Sequence, residues 1–244
     1  MVLYNKIMNL SPSQILLYKR CPRAWYYRYI KKIVPTPSPA LQYGIEFHDG
    51  IEYIISKFLG NEVEPKTQTR DEIRDIIRVG FELGVLEVPK VGIVEKKISF
   101  NITEDIYMVG KIDLIDISNS CIIDHKTVAD LKYALTKEQL KEDFQLNVYG
   151  YWYITSSPKE KTHINYRHNQ LLKPAPEYSK KTEVVVSKEH VFDYWETHIK
   201  PVAVEIYELK QKAKDDSTFY EKNFESCGMY GGCDFSMPCD EDDS

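Results

Sequence analysis

Three carboxylates and two lysines crowd the run GKIDLIDISNSCIIDHKT, residues 110–127, and Asp113, Asp124 and Lys126 are the ones whose spacing could do chemistry. Successive side chains on a strand point to opposite faces, so Asp124 and Lys126 share one face while Ile123 and His125 take the other. Charges seldom enter apolar strands without a partner. Ile112, Leu114, Ile115, Ile117, Ile122 and Ile123 make both segments apolar enough to be central strands. If the short ISNS turn folds IDLID back beside CIIDHK, Asp113 and Asp124 approach each other and repel unless a cation sits between them. Hard oxygen donors of this kind suit Mg²⁺ or Mn²⁺, which keeps waters and takes substrate phosphate oxygens. A lysine on the same face would stand near the phosphate or the attacking water, where it stabilises developing charge. The alternative on this pattern alone is a pair of solvated hairpin strands with ordinary surface charges.

The elements that must position these groups can be read from periodicity and caps. SPSQILLYKRCPRAWYYRYI opens with Ser11 as N-cap, Pro12 at the first helical position and Gln14 where a capping box expects it, and reads as a helix. The three prolines of VPTPSP, residues 34–39, end it. A second helix over about 40–59 carries Ile51, Ile54, Ile55 and Phe58 in helical spacing, with Gly44 and His48 four apart on one side. A shorter helix follows near 71–84. Strands are predicted at 91–100, 106–116, 121–127, 163–172 and 182–187. Thr136 and Gln139 form a second capping-box pattern that opens a helix through KEQLKEDFQLNVYGYWYI, and a last long helix spans 188–214. Helix, sheet, helix, strands, helix is the order of an α/β domain with a mixed central sheet.

The run GKIDLID…IIDHKT resembles the signature of the PD-(D/E)XK nuclease superfamily, and within it the RecB-like branch, whose pattern is a Gly-x-x-Asp strand followed by an Asp-x-Lys strand. That branch also places Gly-x-x-x-His on an upstream helix, matched by GIEFH (Gly44 to His48), and Gln-x-x-x-Tyr on the following helix, matched by QLNVY (Gln145 to Tyr149). The four matches cover residues 44–149 in the right order. The resemblance implies a restriction-endonuclease-like core in which His48, Asp113, Asp124 and the backbone carbonyl of His125 hold the metal. Lys126 is then the catalytic lysine, with Gln145 and Tyr149 orienting it or the DNA. Glu95, in VEKKISF, stands where related enzymes often carry a further acidic ligand; a solvent-facing glutamate is the other reading.

Cys227, Cys233 and Cys239 recur at equal spacing in a glycine-bearing coil, and three thiols leave a tetrahedral site one ligand short. Cys21 is the natural fourth. The chain is also similar to CRISPR-associated and phage exonucleases, and members of the same branch, among them AddB-like and CRISPR-associated exonucleases, carry one such cysteine before the core and three after it. YKRCPRAWYYRY is similar to their N-terminal segment. The resemblance implies a 4Fe-4S cluster joining the N- and C-terminal segments. This chain departs from the common Cys-x2-Cys-x5-Cys spacing, with five residues in its first gap, and structural Zn²⁺ remains the alternative. Cys121, among isoleucines, reads as a buried strand residue.

The 244 residues, 43% hydrophobic and 12% aromatic, suffice for a sizeable core. One nuclease domain over 1–244 is expected, with an N-terminal helical segment 1–40 carrying Cys21, a core over 41–214 and a cysteine-rich segment with an acidic tail over 215–244. The formal charge is −5, and four of the acids lie in the terminal DEDDS. Basic pairs at Lys31-Lys32, Lys96-Lys97 and Lys180-Lys181 leave room for a basic track, so net charge does not argue against nucleic acid. No apolar run is long enough to cross a bilayer, and MVLYNKIMNL lacks the basic-then-apolar order of a secretory leader; a cytoplasmic location is expected. The aromatics of WYYRY (Trp25, Tyr26, Tyr27, Tyr29) are packing residues or platforms for unpaired bases. Arg20 and Arg23 are candidate phosphate contacts. The expected activity is a metal-dependent DNase, specifically an exonuclease on single-stranded DNA in repair, recombination or replication, beside a helicase or similar partner. Its alternatives are a structure-specific or CRISPR-adaptation endonuclease, a catalytically inert DNA-binding subunit, and an iron-sulfur electron carrier.

Overall fold

A computed structural model describes residues 7–66, 68–229 and 232–242, with the side chain of Glu241 excepted. Asp243 of the acidic tail lies outside the described residues. The chain divides into two compact units, one formed by 37–98 and 110–195, the other by 1–36, 99–109 and 196–244.

The first unit is built on a mixed sheet flanked by helices. Its strands are β2 (Gly92–Asn101) and β3 (Ile106–Asp116), both of which continue into the other unit, β4 (Cys121–Val128), β5 (His163–Leu172) and β6 (Lys180–Ser187). Following the short turn predicted from ISNS, β4 runs antiparallel to β3, with Leu114 opposite Ile123 and Asp116 opposite Cys121. The parallel neighbour of β4 is β5, which sets Asp124 beside His168 and Lys126 beside Gln170, and β6 closes antiparallel on β5. The helices are α3 (Pro39–Phe58), α4 (Asp71–Glu82), α5 (Lys137–Lys141), α6 (Phe144–Ser156) and α7 (Lys188–Tyr194). Phe47, Ile51 and Ile55 of α3 and Ile73, Ile76 and Ile77 of α4 are buried together with Leu114, Ile123 and Leu171 of the sheet. These residues recur at three- and four-residue intervals along the helices, which is why one stripe of each is lost to solvent. Across Gly150, α6 lies so near β5 that a Cβ there would stand 2.1 Å from the Tyr166 hydroxyl.

The second unit contains β1 (Met8–Leu10), which pairs parallel with Ile106–Met108, together with α1 (Pro12–Arg20), α2 (Pro22–Tyr29), α8 (Lys200–Ala213) and α9 (Ser236–Glu241). Its core is aromatic. Trp25 stacks on Tyr220 at 6.1 Å, Tyr18 meets Trp25 edge-on, and Tyr26 lies 4.8 Å from Tyr220. Trp25, Tyr26 and Tyr27 are buried, so they pack this unit and offer no platform to a base.

Three helices expected to be continuous are interrupted. Cys21 is extended (φ −161°, ψ 108°) between α1 and α2 because Pro22 follows it, and a residue before proline is pushed out of the helical region. The helix opened by the Thr136/Gln139 capping box, which forms with both of its hydrogen bonds, stops at Glu142. Asp143 then caps α6 by accepting from the Leu146 amide at 2.8 Å. Between α7 and α8 a π-turn spans Trp195–Ile199 just before Pro201, which can donate no helical hydrogen bond. Among the described residues, no helix is long and apolar enough to cross a membrane.

Candidate active site

The first unit brings together the polar residues singled out from GIEFH, VEKKISF, GKIDLID, IIDHKT and QLNVY. They line or border a cleft of about 430 Å³ walled by Gly44, His48, Glu95, Lys111, Asp113 and Lys126. Side-chain ligand atoms of His48, Glu95 and Asp113 lie within 4.8 Å of one another. His48 reaches in from α3, one turn past Gly44, and its Nδ1 is 3.5 Å from Asp113 Oδ2. Asp113 is fixed from its own sheet, since Oδ2 accepts the His125 amide at 2.9 Å. Glu95 reaches the cluster from a strained backbone: its φ is +52° within β2, a left-handed conformation that costs a non-glycine residue on the order of 1 kcal/mol. The ammonium of Lys111 ion-pairs with Glu95.

Asp124 is placed differently. Its Oδ1 accepts from Lys126 Nζ at 2.9 Å and from Gln145 Nε2 at 3.1 Å. Its Oδ2 lies 3.1 Å from His168 Nε2. The ring of His168 is held in turn by Gln170, whose Nε2 is 3.2 Å from Nδ1. Tyr149 is buried, with its hydroxyl donating to the Lys111 carbonyl at 2.9 Å and its ring against Gly110, where a Cβ would stand 2.9 Å from it. It therefore clamps the GKID segment from α6 and has no open face toward a substrate.

The electrostatics separate the two aspartates. Burial, reinforced by the charge of Asp124, pushes the Asp113 carboxyl up to about 7. Burial acts on Asp124 in the same sense, but Lys126 and His168 outweigh it and hold that carboxyl well below the usual carboxylate range. Lys126 stays charged because Asp124 and Asp113 overcome its desolvation. Burial and the nearby ammonium of Lys126 lower the His48 imidazole, leaving it neutral with a lone pair to give. Burial and His48 push His125 down to about 3, and its Nδ1 lies 3.3 Å from Asn169 Nδ2. A proton-hungry carboxyl, a neutral imidazole and a carboxylate paired only with a lysine make a donor set that a divalent cation fits: one nitrogen and two oxygens around an excess of negative charge.

In the second unit, Cys21, Cys227, Cys233 and Cys239 line one cavity of about 310 Å³ together with Tyr27, Lys222 and Phe235. Among the described residues no three of these thiols come within 4.8 Å of one another, wider than the spacing of sulfurs about 2.3 Å from a single zinc ion. Arg23 is only 7% exposed. Its Nε donates to the Tyr220 carbonyl at 2.8 Å and its Nη1 is 3.5 Å from Asp242, so it braces the C-terminal segment and has no free face for a phosphate. Arg20 is exposed at the end of α1. Cys121 is buried in β4 as its neighbours predicted, and its thiol is pushed up to about 12 by burial.

His168, Gln170 and Lys111 did not stand out in the sequence. Lys111 lies inside GKID and could have been noticed there. His168 and Gln170 could not, because only the parallel register of β4 and β5 puts residues 44 apart side by side.

The model of the PD-(D/E)XK nuclease superfamily matches residues 9–83 and 77–240. The chain belongs to the PD-(D/E)XK nuclease superfamily. Two crystal structures share the fold of this superfamily member. SSO0001 is 15% identical with a TM-score of 0.53, over 98% of this chain and 88% of its own. A protein of Eubacterium rectale called "Putative exonuclease" is 12% identical with a TM-score of 0.55, over 84% of this chain and 82% of its own. At these identities the likeness is one of fold. No curated protein sequence matches the chain.

Proposed function

We propose that this nuclease is a Mg²⁺- or Mn²⁺-dependent exonuclease acting on single-stranded DNA in repair, recombination or replication, beside a helicase or comparable partner. The observation that carries the reading is the convergence of His48, Glu95, Asp113 and Lys126 on one cleft, with the Asp124 carboxylate hydrogen-bonded to Lys126. In this reading His48, Glu95 and Asp113 hold the ion, with Asp124 and the His125 carbonyl completing the set. A bound divalent ion supplies charge that acidifies water and neutralises phosphate oxygens. Lys126, kept protonated by the aspartates, stabilises negative charge developing on the phosphate. Gln145 holds the Asp124–Lys126 pair in place, and Tyr149 fixes the strand that presents Asp113.

The four cysteines fit a 4Fe-4S cluster by the same reading. They line one cavity, and four thiolates are the donor set of such a cluster as of structural Zn²⁺. The Cys227 thiol is raised first by desolvation and then by the charges of Cys233 and Cys21, so the site favours a cation that relieves the repulsion. A structural cluster, bracing residues near both chain ends, is the role proposed for it.

Cleavage of linear, end-blocked and circular DNA in Mn²⁺ tests the reading, with Lys126→Ala as control. Linear single strands should be degraded and end-blocked and circular ones spared, and Lys126→Ala should lose about 10²–10³-fold in rate. Circular DNA cut as readily as linear would replace the exonuclease by an endonuclease. Absence of metal-dependent cleavage would leave a DNA-binding subunit.

A further inference from the structure

Gly44 is a glycine that the fold does not require. It lies inside α3 with no left-handed φ, and a Cβ built on it would meet nothing within 4 Å. Gly50, on the same helix, is different: a Cβ there would stand 2.9 Å from Ile77, and at Gly80 it would stand 2.9 Å from both Leu171 and Leu86. Glycine in a helix interior is less stable than alanine, so a glycine without a packing reason calls for another cause. Gly44 lines the cleft of His48, Glu95, Asp113 and Lys126. Leu41 and Ile45, on the same stretch of α3 and lining the same cleft, are 56% and 43% exposed. Around Gly44 this wall carries Ala40, Leu41 and Ile45, with His48 and Asp49 one turn further along α3.

We propose that Gly44 is a clearance position for the substrate. The sugar and unpaired base of the nucleotide next to the scissile phosphate pass against α3 here, closer than any side chain would permit, with Leu41 and Ile45 as the apolar rim. The Leu41 and Ile45 side chains suit a sugar and a base face, while the phosphate goes to Lys126 and the ion-holding residues of the same cleft. The inference rests on the nuclease reading and adds to it a residue that sets how closely a strand can approach.

The test uses Gly44→Ala and Gly44→Leu in the full chain, in the active protein and on a Lys126→Ala background that binds without turnover. Thermal midpoint, Mn²⁺ affinity by calorimetry and anisotropy of a fluorescein-labelled oligothymidine are measured. Both variants should melt at or above the wild-type midpoint and hold Mn²⁺ as the wild type does. Oligothymidine binding should weaken in order of side-chain size, about tenfold or more for leucine, with cleavage losing through KM before kcat. A folded Gly44→Leu that binds and cleaves like wild type overturns the proposal, as does one that loses Mn²⁺ in step with DNA. Failure of the wild type to cleave would sink the nuclease reading alone, since the graded loss of binding would still be read in the anisotropy.

Discussion

The two ligand-rich places in this chain are organised on opposite principles. His48, Glu95 and Asp113 are drawn within 4.8 Å by a helix and two strands, each itself packed or hydrogen-bonded in place. The four cysteines share a cavity: Cys227 ends the short turn Phe224–Ser226, Cys233 is in coil and Cys239 lies in the six-residue α9. A site framed by sheet register is organised before its ion arrives, whereas a site framed by coil depends on the bound group to draw it together. Substitutions in the first should therefore cost activity more than fold, and substitutions in the second should cost fold.

Asp113→Asn probes that difference most strongly. Cleavage in Mn²⁺ should fall by about 10²–10³-fold, the scale on which a preorganised electrostatic group acts. In EDTA at pH 8 the same variant should melt at or above the wild-type temperature. The amide keeps an oxygen for the His125 N–H and removes a carboxylate that burial disfavours. A variant that both loses activity and melts lower would mean that the charge of Asp113 holds the fold together, and the contrast between the two sites would fail.

Cys21→Ala is the opposite case. Its thiol is buried between α1 and α2, and its loss should strip the bound group and lower stability by roughly 3 kcal/mol, the scale of losing one cross-link across a long loop. For a chain of this size that is a midpoint shift of about 6–12 °C. Iron and zinc content by emission spectroscopy, read beside the melting curve, decides which group was held. Unchanged metal content and midpoint would mean that the cavity holds nothing in common among its thiols.

What the sequence disclosed, and what it hid, follows the same division. The period-2 alternation of IDLID and CIIDHK was enough to pair the acids, because each strand is local and the turn between them is short. The resemblance carried His48 and Gln145, whose positions depend on two separate helices. Glu95 was ambiguous because alternation assumes a regular strand, and a left-handed φ at that residue breaks the alternation. His168 was invisible, since no local pattern reports a parallel neighbour. The break at Cys21 had one local signal, Pro22, and the good helix formers around it outweighed that signal. WYYRY gave no sign of its partner Tyr220, which lies nearly two hundred residues away.

Proton release on metal binding is a finer test of the preformed site. A carboxyl raised to about 7 in the folded protein, against about 3.9 in an unfolded chain, contributes stability below pH 4 that is lost as the pH rises through 7. Metal-free protein should therefore lose stability across pH 4 to 7 in excess of Asp113→Asn, and Mn²⁺ should restore it. Because a bound cation needs Asp113 ionised, Mn²⁺ binding at pH 6 should release close to one proton, and binding at pH 8 close to none. Calorimetry in two buffers of different ionisation enthalpy measures this directly. No proton release at pH 6 would show that the carboxyl is already ionised without the ion.

Tyr149→Phe should give the smallest effect and separates positioning from contact. The hydroxyl donates to the Lys111 carbonyl, and losing one such bond costs about 1 kcal/mol, or a midpoint shift of about 2–4 °C. The ring stays, so Gly110 remains covered and the GKID strand keeps its course. If Tyr149 acts through that strand, oligothymidine affinity should be unchanged and any rate loss should track a weaker hold on Mn²⁺. A loss of DNA affinity with Mn²⁺ binding intact would instead place the hydroxyl against the substrate, which requires α6 to move away from β3 when DNA binds.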